Sequence, residues 1–194
     1  MKKNSAVEVP ELSQLEKELN RVKYKKRYKS VLTSTISTLI VVAAIAVLIA
    51  TLLMPVLQIY GTSMSPTLYD GDIIATIKTT EFEQGDVVAF YYNNKILVKR
   101  VIAMSGEWVD MDEDGNVYVN DVLLDEPYLV ERAVGECDIK LPYQVPENRI
   151  FVMGDHRSVS VDSRSTTVGC VAEEQLVGRL LFRVWPLKDI GPVG

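Results

Sequence analysis

Hydrolytic chemistry on this 194-residue chain must be built from few groups, because it holds one histidine, His156, and two cysteines, Cys137 and Cys170. A Ser-His-Asp arrangement would have to use His156. That residue lies in Gly154-Asp155-His156-Arg157, directly after an apolar run, where a turn and a structural hydrogen-bonding role are the plainer expectation. Metal-assisted chemistry has little to work with. No Cys-Xaa-Xaa-Cys pair occurs and no three His, Asp, Glu or Cys residues stand at metal-ligand spacing, carboxylates alone would suit only a weak Mg or Ca site, and no cofactor is expected. A serine can instead be activated by a lysine, if burial keeps that lysine neutral and within hydrogen-bond reach.

The segment Ile96-Leu97-Val98-Lys99-Arg100-Val101-Ile102 offers such a lysine. Strand alternation puts Leu97, Lys99 and Val101 on one face and Val98, Arg100 and Ile102 on the other, so Lys99 has apolar flanks. Bringing a lysine from about 10.4 to about 8 takes roughly 3 kcal/mol of differential destabilisation of the ammonium, within the reach of burial. Taken alone, the strand is better explained by an edge lysine that discourages sheet aggregation. The hydroxyls are in Tyr60-Gly61-Thr62-Ser63-Met64-Ser65-Pro66-Thr67-Leu68, where several compete. Gly61 permits close backbone approach, Pro66 restricts the turn, and Ile59, Met64 and Leu68 are apolar neighbours suited to small apolar ligands.

The elements that must position these groups follow from charge and hydropathy. Residues 1–30 carry nine basic and four acidic side chains, a net of +5, whereas the other 164 residues carry −10. From Ser30 to Tyr69 there is no Asp, Glu, Lys, Arg or His. Within that gap residues 31–54 are predominantly apolar and would rise about 36 Å as a helix, against about 30 Å of bilayer hydrocarbon. The sequence therefore predicts a cytoplasmic N-terminal segment over 1–30, a transmembrane helix over 31–54 and a domain over 55–194. A cleaved secretory signal is the main rival, but the apolar stretch runs past its Ala44-Ile45-Ala46 site. The basic cluster Arg21 to Lys29 places the N-terminus in the cytoplasm and the following domain outside. Leu12, Leu15 and Leu19 have helical spacing, consistent either with a helix lying on anionic head groups or with a solvated lead-in.

Pro55 stops the helix, and the remainder reads as one mainly β domain. Strands are predicted over Ile73–Ile77, Asp86–Tyr92, Ile96–Ala103, Trp108–Asp110, Val117–Val119, Arg149–Met153 and Val177–Trp185. Asp70-Gly71, Gln84-Gly85, Asn93-Asn94, Ser105-Gly106, Asp114-Gly115 and Asn120-Asp121 mark turns. In an oxidising exterior Cys137 and Cys170 could pair, if their Cβ atoms meet.

Three segments together resemble the principal boxes of bacterial type I signal peptidases: Gly61 to Leu68, then Val98-Lys99-Arg100-Val101, then Val152-Met153-Gly154-Asp155-His156-Arg157-Ser158-Val159-Ser160-Val161-Asp162-Ser163-Arg164. Val117-Tyr118-Val119-Asn120 with Asp125-Glu126-Pro127-Tyr128 is similar to the segment following the lysine box in Gram-positive members. Leu176-Val177-Gly178-Arg179 also resembles the family. The resemblance implies an extracytoplasmic all-β catalytic domain and a membrane-bound serine endopeptidase that cleaves exported preproteins after small residues at −3 and −1. It implies Ser63 as nucleophile and Lys99 as general base, Ser160 orienting the lysine, and Asp162 and Arg164 supporting the site. Arg100, pointing away from Lys99, is expected to pair with Asp155.

By position beside the dyad, Ile59, Met64, Leu68, Leu97 and Val98 are expected to line the substrate pockets, with the substrate added as an extended strand. Membrane lipid is the other expected partner. Nucleic acid is not, since no DNA-binding module precedes the β domain as it would in a self-cleaving repressor. A non-catalytic membrane-anchored β binding domain is the alternative from another class. Three departures from the family pattern stand out. Gly61 occupies the place where some relatives have a serine that adds an oxyanion donor to the backbone N–H of Ser63. His156 stands where Asn is usual, and opens the possibility of an added pH dependence. Ala103-Met104-Ser105-Gly106-Glu107 replaces a usual Gly-Leu-Pro-Gly-Asp.

Overall fold

The computed structural model describes residues 11–193; Lys2, Lys3 and Glu8 of the basic lead-in lie outside them. The chain divides into two units, Met1–Ala50 and Thr51–Gly194. Helix α1 covers Leu12–Leu53, 42 residues or about 63 Å, and has no break at residue 30 where the lead-in was expected to end. It is long and apolar enough to cross a membrane. Val31, Ile36, Ile40, Val42, Val47 and Leu48 are all exposed, so no single stripe is set aside for a protein core. Hydroxyls in this stretch satisfy themselves: Thr33 donates to the Lys29 carbonyl (2.8 Å), Thr35 to Val31 (3.0 Å) and Thr38 to Ser34 (2.9 Å). The helix ends two residues before Pro55, as a residue without an N–H dictates.

The second unit is β-rich. Its strands are β1 (Val56–Gln58), β2 (Ile73–Ile77), β3 (Val87–Tyr92), β4 (Lys95–Ala103), β5 (Trp108–Met111), β6 (Val117–Val119), β7 (Val122–Leu123), β8 (Tyr143–Gln144), β9 (Arg149–Met153), β10 (Val171–Ala172), β11 (Leu176–Trp185) and β12 (Gly191–Pro192). Among the described residues one sheet runs β1-β2-β11-β3-β4-β9-β10, with β12 also on β11, and a smaller one runs β7-β6-β5-β8. All pairings are antiparallel. The seven predicted strands are present to within a residue or so at each end; the two- and three-residue strands β1, β7, β8, β10 and β12 carry too little periodicity to be read. Asn120 and Asp121 both take positive φ (52° and 63°), the geometry that lets a two-residue turn join β6 to β7 without splaying them.

The core lies on both faces of the central strands. Val87 and Ala89 of β3 pack with Ile59, Met64, Leu68, Ile74 and Leu180. Val88 and Phe90, from the other face of the same strand, pack with Val101, Ile150 and Val152. Ile102, Phe151 and Met153 meet Val109, Val117 and Val119 of the small sheet. The pairings Val88↔Lys99 and Val87↔Arg100 carry this two-faced burial onto β4, so consecutive charged residues are sent into opposite layers. Cys137 and Cys170 are both free, so the conditional disulfide is not formed.

Candidate active site

Ser63 sits in the excursion between β1 and β2. Those strands pair Leu57↔Ile74 and Gln58↔Ile73, so the excursion returns to its starting point. Within it the Ser65 N–H donates to Thr62 O (3.1 Å) and the Leu68 N–H to Met64 O (2.8 Å). Buried Met64 and Leu68 anchor the turn below, leaving Ser63 half-buried above them. Gly61 has a φ of +88°, which glycine adopts without strain, and its N–H donates to Asp70 Oδ1 (2.7 Å). Among the described residues the Ser63 N–H has no acceptor.

Lys99 is 3% exposed. Its Nζ lies 2.8 Å from Ser63 Oγ and 2.9 Å from Ser160 Oγ, hydrogen-bonded to both. Burial is the largest influence on it and lowers its pKa to about 8; Asp162 pulls it up, Arg164 pushes it down and Asp155 pulls it up. At pH 7 about one lysine in ten is then neutral, roughly 300-fold more than at the ordinary value.

Ser160 and its supports lie in the loop after β9. The Asp162 carboxylate accepts from the Gly154 N–H (3.0 Å), from Arg164 Nε (2.9 Å) and from Arg164 Nη2 (2.8 Å). Burial alone would raise this carboxyl, but the Arg164 guanidinium and the Gly154 amide outweigh it and hold it below its usual range. Arg164 also donates to the Ser160 carbonyl (3.3 Å) and the Val134 carbonyl (2.6 Å), tying the loop to the strap between β7 and β8. Gly154 is where the parts meet. A Cβ there would collide with Ser160 Oγ and approach the Ser63 carbonyl to 2.5 Å. The His156 N–H donates to the same Ser63 carbonyl (3.0 Å). The loop thus grips the nucleophile's own peptide, through the backbone of His156 and not through its imidazole.

On the opposite face of β4, Arg100 pairs with Asp155 through Nε to Oδ1 (3.0 Å) and Nη2 to Oδ2 (2.8 Å), joining the lysine strand to the loop as its direction implied. Tyr128 stacks 4.0 Å from the Arg100 guanidinium, and its hydroxyl donates to Glu126 (2.8 Å). Burial and the Glu126 carboxylate raise that phenol well above its ordinary value. Glu126 in turn forms a fully buried ion pair with Arg157. The pairing of Glu126 with Arg157, 31 residues apart, had no periodicity to reveal it. The only available signal was the Asp125-Glu126-Pro127-Tyr128 segment.

Beside Ser63 and Lys99 runs a cleft of about 800 Å³. Ile59, Met64, Leu97 and Val98 line it, joined by Leu57 and Tyr60, which sequence reasoning did not single out. Leu68 does not. The turn that closes on Met64 O carries it into the core beneath the nucleophile, where it is fully buried. Among the described residues no group of three or more His, Cys, Asp and Glu side chains converges as a metal site would.

The chain has relatives among known proteins. Residues 32–185 match the family described as signal peptidase, peptidase S26. The chain is similar to the signal peptidase I of Bacillus licheniformis, 38% identical over 157 residues, covering 73% of this chain and 81% of that one. It is also similar to the signal peptidase IB of Staphylococcus aureus strain Mu50, 38% identical over 151 residues, covering 68% and 78%. Similarity to the chloroplastic thylakoidal processing peptidase 1 of Arabidopsis thaliana is 34% over 149 residues, and the chain spans only 42% of that longer protein. A solved signal peptidase I from Enterococcus faecalis aligns over 52% of this chain and 97% of its own, at 29% identity and a TM-score of 0.45.

Proposed function

The chain belongs to the signal peptidase family, peptidase S26, and on that footing we propose that it removes signal peptides from exported preproteins with Ser63 as nucleophile and Lys99 as general base. The observation that carries this reading is one amine, buried and brought to a pKa of about 8, within hydrogen-bond distance of two serine hydroxyls. In its neutral form Lys99 takes the Ser63 proton as Oγ attacks the peptide carbonyl, then returns that proton to the leaving amine. The acyl-enzyme left on Ser63 is released by a water that Lys99 deprotonates in turn. Negative charge on the carbonyl oxygen falls to the Ser63 N–H, which is free to donate. Gly61 supplies no hydroxyl, and its own N–H is committed to Asp70.

Ser160 acts as a positioning residue: it accepts from Lys99 Nζ, while Arg164 and Asp162 hold its loop. The mostly apolar cleft suits an extended peptide with small side chains at −3 and −1; apart from Lys99, the charged residue that lines it is the exposed Lys95. We place the N-terminus in the cytoplasm, the uncharged part of α1 across the membrane in contact with lipid, and the β unit outside, following the basic residues between Arg21 and Lys29. Tethering then raises the effective concentration of site and substrate at one surface.

The test is cleavage of an Ala-Xaa-Ala-containing preprotein by the full chain in detergent micelles, with product N-termini sequenced. Cleavage after the −1 Ala by wild type, and loss of at least about 10³-fold in Ser63→Ala and Lys99→Ala, is expected. Activity that survives Ser63→Ala would show that the nucleophile has been misassigned.

A further inference from the structure

The nucleophile turn touches both faces of β4. Ser63 Oγ meets Lys99 on one face (2.8 Å), and Thr67 meets the Arg100–Asp155 pair on the other, its Oγ1 donating to Asp155 Oδ2. Arg100 Nη2 lies 3.3 Å from the same hydroxyl. A guanidinium only donates and a carboxylate only accepts, so the Thr67 O–H has one direction open to it, towards Asp155. Three elements meet there: the turn that carries the nucleophile, the strand that carries Lys99 and the loop that carries Ser160. The other holds on the turn are less exacting. Met64 and Leu68 are buried by apolar contact, which has no direction, and the bonds from the Ser65 N–H to Thr62 O and from the Leu68 N–H to Met64 O lie within the turn, fixing its shape and not its place. Among the described residues, Thr67 is the member of the turn besides Ser63 that hydrogen-bonds to the lysine strand and the Ser160 loop. From β11, Arg183 Nη2 adds a bond to the Thr67 carbonyl.

We propose, resting on the proteolytic reading above, that Thr67 is a positioning residue: its hydroxyl and the Ser63 carbonyl clasp two consecutive residues of the loop, Asp155 and His156, and so set Ser63 Oγ against Lys99. The Ser63 carbonyl accepts from the His156 N–H (3.0 Å), and Thr67 donates to Asp155. One point of attachment lets the turn pivot about it. Two points on one loop fix both the distance and the direction of Ser63 Oγ from the amine. Nucleophilic attack is sensitive to that placement, since a shift of about 1 Å costs on the order of 10²-fold in rate. Thr67→Val removes the donor and keeps the β-branched shape. Asp155 Oδ2 still accepts from Arg100 Nη2, so no buried oxygen is left unpaired, and the fold survives with the turn held at one point.

The experiment measures kcat and KM for cleavage of an Ala-Xaa-Ala-containing preprotein by the full chain in micelles, as wild type, Thr67→Val and Thr67→Ser, with urea unfolding of the same samples to establish that each is folded. Thr67→Val should lower kcat by about 30-fold and leave KM within about twofold, because the cleft that binds the substrate is untouched. Thr67→Ser, which restores the donor without the methyl group, should recover most of that loss. A displaced Ser63 is also a poorer acceptor for the Lys99 ammonium, so the rising limb of the pH–rate profile should lie at lower pH in Thr67→Val than in wild type. A wild-type kcat in Thr67→Val, a Thr67→Ser as slow as Thr67→Val, or a rate lowered equally at every pH with the limb in place overturns the inference. Failure of the wild type to cleave overturns the proteolytic reading instead.

Discussion

Lys99 and Arg100 are neighbours on β4 and almost equally hidden, 3% and 2% exposed, yet the two faces of the strand treat their charges in opposite ways. Arg100 meets a carboxylate through two hydrogen bonds, a further acceptor in the Gly85 carbonyl (2.8 Å) and an aromatic face. It is held charged. Lys99 meets two hydroxyls and has no carboxylate in direct contact; Asp162 acts on it from a position already committed to Arg164. It is held near the point of losing its proton. Burial alone therefore does not make a base. What distinguishes the two faces is whether the buried cation is given a counter-ion, and a guanidinium could not have served on the Lys99 side because it does not deprotonate in proteins.

The largest expected effect tests the paired face. Asp155→Ala leaves Arg100 buried without its counter-ion and should cost about 3–5 kcal/mol of stability, read by urea unfolding of the full chain in micelles. Arg100→Met combined with Asp155→Leu should recover much of that loss, because an apolar pair of similar volume carries no desolvation cost. If the single variant were as stable as wild type, the pair would not be a structural tie and the contrast between the faces would collapse.

The contrast was half legible beforehand, for physical reasons. Alternation along residues 96–102 requires consecutive side chains to part, which was enough to set Lys99 apart from Arg100 and to direct the latter towards Asp155. The uncharged run after Ser30 and the turn residues likewise announce a helix and a strand-rich domain. What escaped notice lies where no period operates. Leu68 reads as a pocket residue because it follows Ser63 closely, but a turn closing on Met64 O directs it inward. Glu126, Tyr128 and Arg157 meet through a strap without regular structure, so their distance along the chain says nothing of their contact. The bond between the His156 N–H and the Ser63 carbonyl belongs to backbone atoms, which every residue possesses, and no side-chain pattern can announce it.

The unpaired face makes its own prediction through pH. Lys99 has a pKa of about 8 in the folded chain against an ordinary 10.5, so between those values the unfolded chain binds more protons. Stability contributed by this group must therefore rise with pH across that window: the cost of a buried ammonium is fully present below pH 8 and gone above 10.5. The difference amounts to about 3 kcal/mol. In unfolding curves compared from pH 7 to 11, wild type should gain that amount of stability relative to Lys99→Met, with tyrosines and other lysines cancelling in the comparison. A constant gap would mean that Lys99 is not held neutral by burial.

The smallest effect is the most specific to the proposed chemistry. Ser160 Oγ accepts from Lys99 Nζ at 2.9 Å, a hydrogen bond that both orients the amine and favours its protonated form. Ser160→Ala should lower kcat/KM about tenfold, the scale of one hydrogen bond to a charged group. It should also move the rising limb of the pH–rate profile to lower pH, because the ammonium loses an acceptor while the surrounding burial is unchanged. A purely structural role for Ser160 would lower activity at every pH and leave the limb in place. The two consequences separate orientation from titration. They also sharpen the comparison with Arg100, where removing one acceptor leaves the guanidinium charged at any pH and can alter only stability.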